Sequence, residues 1–215
     1  MDPVMIITGL LLAYLAWSWF LTRKRKDYAA LYYRLPEAFV NITIDDMPSE
    51  YVDEFLRVLA RYPVKALFFV NGSHCRAEGD DVKKILSAGH TIGNHSFTHY
   101  FFYPVSHDMI MADLERNEAL LHAFGVEAPP VRTPHGYHTV SLLKTLQQRR
   151  TPFCHWDYML WDFLPLPLFL LRQGVIRFLK KGGGILCMHG RKRSVTVLAF
   201  LLDMLYPEMK QQEEG

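Results

Sequence analysis

From about residue 35 the chain alternates short apolar runs with segments whose apolar residues recur at helical spacing. Residues 38–44 read as a buried strand, and 49–61 carry Val52, Phe55, Leu56 and Leu59 on one helical face. A second strand covers 66–70, a helix covers 80–88 up to Gly89, and 91–93 make a short third strand. Ser106 caps a long helix that runs to Phe124 and stops at Gly125. A fourth strand ends near Arg132, a helix covers 139–147, and a fifth strand covers 152–157. Residues 166–181 read as a helix ended by three glycines, 184–188 as the sixth strand, and Ser194 to Leu205 as the last helix. Strands alternating with helices call for parallel pairing through crossovers, so the expected class is α/β.

The polar residues that interrupt this pattern are not scattered. Asp45 and Asp46 follow the first strand, His95 the third and His189 the sixth, while Arg132 and Asp157 end the fourth and fifth. All lie at carboxyl ends of strands, which in a parallel barrel share the face where an active site is built.

The start of the chain has a different pattern. Residues 4–21 carry no charge over 18 positions, with Trp17 and Trp19 near the end and Arg23-Lys24-Arg25-Lys26 directly after. At about 1.5 Å per residue this spans most of a hydrocarbon core of about 30 Å. The expected organisation is a single-pass anchor over 1–22, a basic linker over 23–36, a domain over 37–207 and a disordered tail over 208–215. Basic residues collect on the cytoplasmic side, so the domain is expected to face the cytoplasm. A net charge of +2 with no interleaved basic and aromatic patch excludes nucleic acid as the expected partner. The three widely spaced cysteines read as reduced thiols.

Several segments carry candidate chemistry. One carboxylate from Asp45-Asp46 with His95 and His99 makes a three-ligand set, the kind that leaves a catalytic ion an open position. The second carboxylate is then free to act as a base. On an extended strand the two aspartates point to opposite faces. His95 and His99 share a face if their segment is helical, with Asn94 and Ser96 beside them as hydrogen-bonding supports. Taken singly, each segment also has a plain reading: Asp-Asp-x-Pro as a solvated turn, the histidines as surface residues, Arg132 as a surface arginine at an ordinary turn. A guanidinium at the entrance of Arg132-Thr133-Pro134-His135-Gly136-Tyr137 is placed to orient Asp45, and a backbone N–H of this loop to face an oxyanion. His189, ending Gly184-Ile185-Leu186-Cys187-Met188-His189, suits protonation of a leaving amine, with a nearby carboxylate to steady its ring. Trp156-Asp157 and Trp161-Asp162-Phe163 supply carboxylates and aromatic walls.

In this order and spacing the segments resemble the NodB-type polysaccharide deacetylases, carbohydrate esterase family four, over about residues 35–206. Thr43-Ile44-Asp45-Asp46 resembles the family's Thr-Phe-Asp-Asp, and Ala66-Leu67-Phe68-Phe69-Val70 its following strand. His95-Ser-x-x-His99 and Arg132-x-Pro-x-Gly136 match in full. Trp156 with Asp162-Phe163 is similar to the fourth motif, with Phe163 for the usual Trp, and Cys187-Met188-His189 resembles Leu-x-His. The resemblance implies a distorted or incomplete (β/α) barrel, with Asp46, His95 and His99 holding zinc or another divalent ion (Co, Mn or Ni). It further implies Asp45 as base tethered by Arg132, His189 as acid steadied by Asp162, and the His135 N–H at the oxyanion. Tyr137, Trp156 and Cys187 are then expected at the substrate. The sequence departs from the family at Met47, which replaces a glycine and is expected to crowd the first loop, and at Cys187, which replaces a leucine. No closing strand follows the last helix.

The expected reaction is metal-dependent removal of an N-acyl group, acetyl foremost, from an amino sugar. A domain on the inner leaflet favours a lipid-linked sugar, such as a polyprenyl-phosphate amino sugar or a glycolipid precursor. Residues 163–171, with Tyr100-Phe101-Phe102-Tyr103, read either as a membrane-facing apolar rim or as core. The alternative from another class is an inactive sugar-binding or scaffold membrane protein with the same fold.

Overall fold

The structure, a computed structural model, describes residues 39–76, 79–100 and 106–211. The expected anchor and basic linker lie outside these residues, as do Phe101, Phe102 and Tyr103. Among the described residues no helix is long and apolar enough to cross a membrane.

The strands are β1 (Val40–Met47), β2 (Ala66–Val70), β3 (Thr91–Asn94), β4 (Tyr158–Met159) and β5 (Gly184–His189). They form one parallel sheet in the order β3-β2-β1-β5-β4. The helices are α1 (Val52–Leu59), α2 (Asp80–Ser87), α3 (His107–Ala123), α4 (Val140–Gln148), α5 (Leu168–Lys180), α6 (Lys192–Leu205) and α7 (Pro207–Gln211). Local chemistry explains their ends. The Ser106 hydroxyl accepts the Met109 N–H to open α3, and Thr139 accepts that of Leu142 to open α4. Gly125 takes the left-handed backbone (φ 82°) that ends α3. In α1, Val52, Phe55 and Leu59 are buried, with Asp53 and Glu54 in the first turn where the helix dipole favours them.

The period of two along each strand divides the core. Ile44, Phe68, Val70, Leu186 and Met188 face outward and pack under the helices with Phe55, Leu201 and other apolar residues. Leu67, Phe69, Ile185 and Cys187 face inward and meet Cys154, Trp156 and Met159. The same alternation sets Thr43 and Asp45 on the inner face, in register with Cys187 and His189.

The expected fourth and fifth strands shrink to single bridges, Asn94 with Val131 and Val131 with Phe153. Past Phe153 the chain pairs with β5, through Asp157 N–H to the Ile185 carbonyl at 2.8 Å and then β4. Segment 152–160 thus links the β3 side to the β5 side. The ring closes here, not through a strand after the last helix. Asp157 consequently corrects a sequence expectation: it sits beside Gly184 and Ile185 at the opening of β5, away from His189, and its carboxylate accepts the Ile185 N–H. The expected tail also starts as a helix, α7; residues 212–215 lie outside the described residues.

Candidate active site

At the end of β1 the two aspartates do not point apart as an extended strand requires. The register of β1 on β2 shifts between Ile44 and Met47, and Asp46 adopts left-handed backbone (φ 60°). The bulge turns both carboxylates to one imidazole: His95 Nε2 lies 3.6 Å from Asp46 Oδ1 and 3.9 Å from Asp45 Oδ2. Met47, expected to crowd this loop, is buried in the core against Gly190.

His95 and His99 do not share a helix either. Residues 95–100 form an irregular loop folded by left-handed backbone at Ser96 (φ 67°) and His99 (φ 56°). The fold brings the two rings to 5.2 Å and His99 Nε2 to 3.0 Å from Asp46 Oδ1. The loop is fastened from below. The Asp113 carboxylate accepts the N–H groups of Phe97 and Thr98 and the Thr98 hydroxyl. Asn94 accepts from Ser96 N–H and from Asn117, and the Asn71 amide donates to the His95 carbonyl at 2.6 Å. Asn94 and Ser96 were legible as supports, whereas Asp113, Asn117 and Asn71 were not singled out. A signal existed: Asp113 and Asn117 share the buried face of α3 with Ile110, Leu114 and Leu121, where apolar residues are the rule.

His95 Nδ1 lies 2.7 Å from the Arg132 carbonyl, which can only accept. Nδ1 therefore carries the hydrogen and Nε2 presents its lone pair toward Asp46. One ligand atom each from Asp46, His95 and His99 lies within 4.8 Å of the others. Zinc ligands at about 2.0–2.1 Å in a tetrahedral array stand roughly 3.3 Å apart, so small adjustments bring all three onto one ion. Asp46 Oδ1 is buried and accepts no hydrogen bond from any described residue. A buried anionic oxygen without donors is costly unless a cation completes it, so the donor set fits a divalent ion.

The other half of the site is built around Arg132, which is 0% exposed. All five of its N–H groups are used. Nη1 donates to Asp45 Oδ1 and Thr43 Oγ1, both at 2.7 Å, and Nε to the Cys154 carbonyl at 3.1 Å. Nη2 donates to the His155 carbonyl at 3.2 Å and to Cys154 Sγ at 3.6 Å. The guanidinium lies over Phe69 at 4.2 Å and near Trp156 at 5.6 Å. Burial disfavours its charge, but Asp45 more than offsets this and raises the group above its ordinary value. The second oxygen of Asp45 accepts the Cys187 thiol at 3.3 Å, and burial pushes that thiol well up, so it is a neutral donor.

His189 and Asp162 form the third part. Asp162 Oδ1 lies 2.6 Å from His189 Nδ1, while Oδ2 accepts the His189 N–H at 2.8 Å and the Ser194 hydroxyl. Burial alone lowers the His189 imidazole, but Asp162 reverses this and raises it to about 9. Burial likewise raises Asp162, and His189 brings it below its ordinary value, so the two form a charged pair. With Nδ1 engaged, Nε2 is the nitrogen left for proton transfer.

Of the residues expected at the substrate, His135 stands edge-on to His99 at 4.9 Å and has left-handed backbone (φ 57°). Burial, the largest cause, lowers it to about 4. Trp156 and Cys187 are buried and shape the site from behind: the indole packs on Arg132 and directly against Gly136. The Tyr137 carbonyl accepts the Thr133 hydroxyl at 2.5 Å and closes its turn. Asp46, Ser96, His99, His135 and Trp161, the neighbour of Asp162, are five of the seven non-glycine residues with positive φ among those described. Each such residue costs on the order of 1–3 kcal/mol, so backbone strain is concentrated where the chemistry is. A groove of about 1090 Å³, lined by Asp46, His99, Asp162, Phe163 and residues 190–193, opens beside it.

Residues 33–151 match the polysaccharide deacetylase family. A peptidoglycan-N-acetylglucosamine deacetylase from Bacillus cereus is 29% identical over 185 residues, 82% of this chain and 84% of its own. The catalytic domain of a peptidoglycan N-acetylglucosamine deacetylase from Eubacterium rectale superposes with a TM-score of 0.72 at 25% identity, covering 82% of this chain and 88% of that one. A mutant of a family-four pseudoenzyme from Bacillus anthracis, with restored enzymatic activity, superposes with a TM-score of 0.68 at 27% identity over 81% of this chain and 63% of its own. By sequence and by parallel α/β fold, this chain belongs to the polysaccharide deacetylase family of NodB type and is a carbohydrate N-deacetylase of the hydrolase class.

Proposed function

We propose that this protein is a metal-dependent hydrolase that removes an N-acyl group, acetyl foremost, from an amino sugar carried on a membrane lipid-linked glycan precursor. The observation that carries the reading is the convergence of Asp46, His95 and His99 around an oxygen with no hydrogen-bond donor, with Asp45 and His189 close by. A divalent ion held by those three residues, zinc by its preference for nitrogen and oxygen donors in open sites, supplies Lewis acidity and a more acidic water. The chain's own residues divide the proton work. Asp45, fixed on one oxygen by Arg132, takes a proton from the attacking water. His189, charged through its pairing with Asp162, gives a proton from Nε2 to the departing amine. Arg132 keeps the base in place and Thr43 keeps Arg132 in place.

The substrate's lipid linkage and a cytoplasmic-facing, single-pass attachment are supported by the uncharged run over 4–21 and the basic tetrad after it. They are also supported by Leu168, Phe169 and Leu170, which open α5 as exposed apolar residues, Phe169 at 63%. The inactive, sugar-binding reading has one favouring observation, the likeness to a pseudoenzyme. An intact ligand set and charged acid pair favour the enzyme. Metal content with acetate release from N-acetylglucosamine oligomers and lipid-linked N-acetylglucosamine separates the two. A metal-loaded protein that releases no acetate from any of them sinks the hydrolase reading.

A further inference from the structure

Three consecutive cations, Arg191-Lys192-Arg193, follow His189-Gly190 and line the same groove as Asp46, His99 and Asp162. Their turn is pinned at both ends, because the His189 N–H and the Ser194 hydroxyl donate to the same Asp162 oxygen. The Gly190 N–H donates to the Asp45 carbonyl at 2.9 Å, and a Cβ on Gly190 would meet Met47 Sδ at 2.7 Å. The turn therefore packs on the loop that carries both aspartates and holds its position relative to them.

These cations are not accounted for by the fold. They open α6, where the helix dipole disfavours positive charge, and its first turn contains no acidic residue. Arg191 and Lys192 are exposed, and neither makes an ion pair with a described residue. Arg193 donates to the Leu164 carbonyl and keeps its charge unopposed. Among the carboxylates along the groove, Asp46 faces two imidazoles and Asp162 is paired with His189, which leaves Glu50 against three positive charges. Breaking a local electrostatic rule beside a reaction centre is the pattern of a functional device.

We propose that Arg191 and Lys192, with Arg193, hold a phosphoryl group of the substrate, so that the amino sugar deacylated here is a glycosyl phosphate or a diester of one. The proposal rests on the deacylase reading and adds the substrate class. Guanidinium forks match phosphate oxygens in pairs, and lysine adds a point charge. A groove of about 1090 Å³ is at the upper end of small-ligand sites and has room for a sugar and its phosphoryl group together. The phosphoryl group has two sources, a soluble sugar phosphate and a lipid that carries one; Leu168 on the same groove is placed to meet a lipid chain.

The test uses the full-length, metal-loaded protein and the double variant Arg191→Gln/Lys192→Gln. N-acetylglucosamine 1-phosphate and methyl N-acetylglucosaminide are compared as substrates, and calorimetric binding of the sugar phosphate is measured in Asp45→Asn backgrounds that do not turn over. The wild type is expected to prefer the phosphorylated sugar at least about 10-fold in kcat/KM, mostly through KM. The double variant is expected to bring that ratio close to one and weaken binding of the sugar phosphate about 10- to 100-fold, with a shallower salt dependence. No preference in the wild type, or a preference that survives in the double variant, overturns the proposal. Cation-dependent binding without acetate release from either sugar supports the phosphoryl site and overturns the reaction instead. In phosphatidylcholine vesicles, faster turnover of the same sugar phosphate on a polyprenyl chain identifies the lipid source, and no gain identifies the soluble one. With either source, turnover indifferent to Arg191 and Lys192 overturns the proposal.

Discussion

The half of the site built around Asp45 has its hydrogen bonds accounted for, whereas the half built around Asp46 leaves a buried oxygen facing two ring nitrogens. Both aspartates sit on the same strand end and within 4 Å of the same His95 nitrogen. Their surroundings separate them. Asp45 is clamped by a guanidinium that spends all five donors on fixed partners, and Asp46, itself left-handed, is turned toward the rings of His95 and His99. One half is preorganised by the protein alone; the other has a donor set that fits a divalent ion. Two identical side chains acquire different work from environment, the logic by which paired carboxylates divide catalytic roles.

The contrast breaks hardest at Arg132. Arg132→Met leaves Asp45 buried with no counter-charge, and loss of one partner of such a pair costs about 3–5 kcal/mol. We expect a large fall in thermal stability together with loss of activity, read by calorimetry and acetate release. A stable Arg132→Met protein contradicts the preorganised half.

A comparable effect is expected at the acid. In the metal-free protein His189 sits at about 9 against 6.5 for the free side chain. A raised base stabilises the fold fully below pH 6.5, and the contribution is lost as pH rises through about 9. The whole is worth roughly 3 kcal/mol. Denaturant unfolding of metal-free wild type should show this decline between pH 6.5 and 9, and Asp162→Asn should flatten it. A parallel decline in the variant assigns the pH dependence elsewhere.

Metal removal sharpens the contrast at smaller size. An ion at 100 times its Kd stabilises the native state by about 2.7 kcal/mol. That increment should vanish in Asp46→Asn and persist in Asp45→Asn. The smallest effect is expected in the metal-free Asp46→Asn protein, where asparagine tolerates the left-handed backbone and no hydrogen bond is lost. Stability there should stay within about 1 kcal/mol of the wild type. A larger loss means that Asp46 has a structural partner.

The succession of elements along the chain, and the residues that converge on the candidate site, were largely legible, because periodicity and chain order are local. Ser106 and Thr139 cap the helices that were read from them, and β2 has the bounds expected. What escaped depends on single residues in three dimensions. A one-residue bulge at Asp46 leaves no trace in a hydrophobic pattern, yet it decides that both aspartates face one site. The loop from His95 to His99 mimics a helical spacing while being folded by two left-handed residues. Val131 makes one bridge to each side and Phe153 a single one, too short to show a period, so the pattern reads a strand over 152–157 and places Asp157 at the wrong end.

The central claim is that Asp46 and Asp45 have separate tasks, and metal content of purified wild type, Asp45→Asn and Asp46→Asn tests it most directly. The account predicts about one ion per chain in the wild type and in Asp45→Asn, very little in Asp46→Asn, and acetate release only from the wild type. An Asp45→Asn protein that loses its ion, or an Asp46→Asn protein that keeps it, contradicts the division.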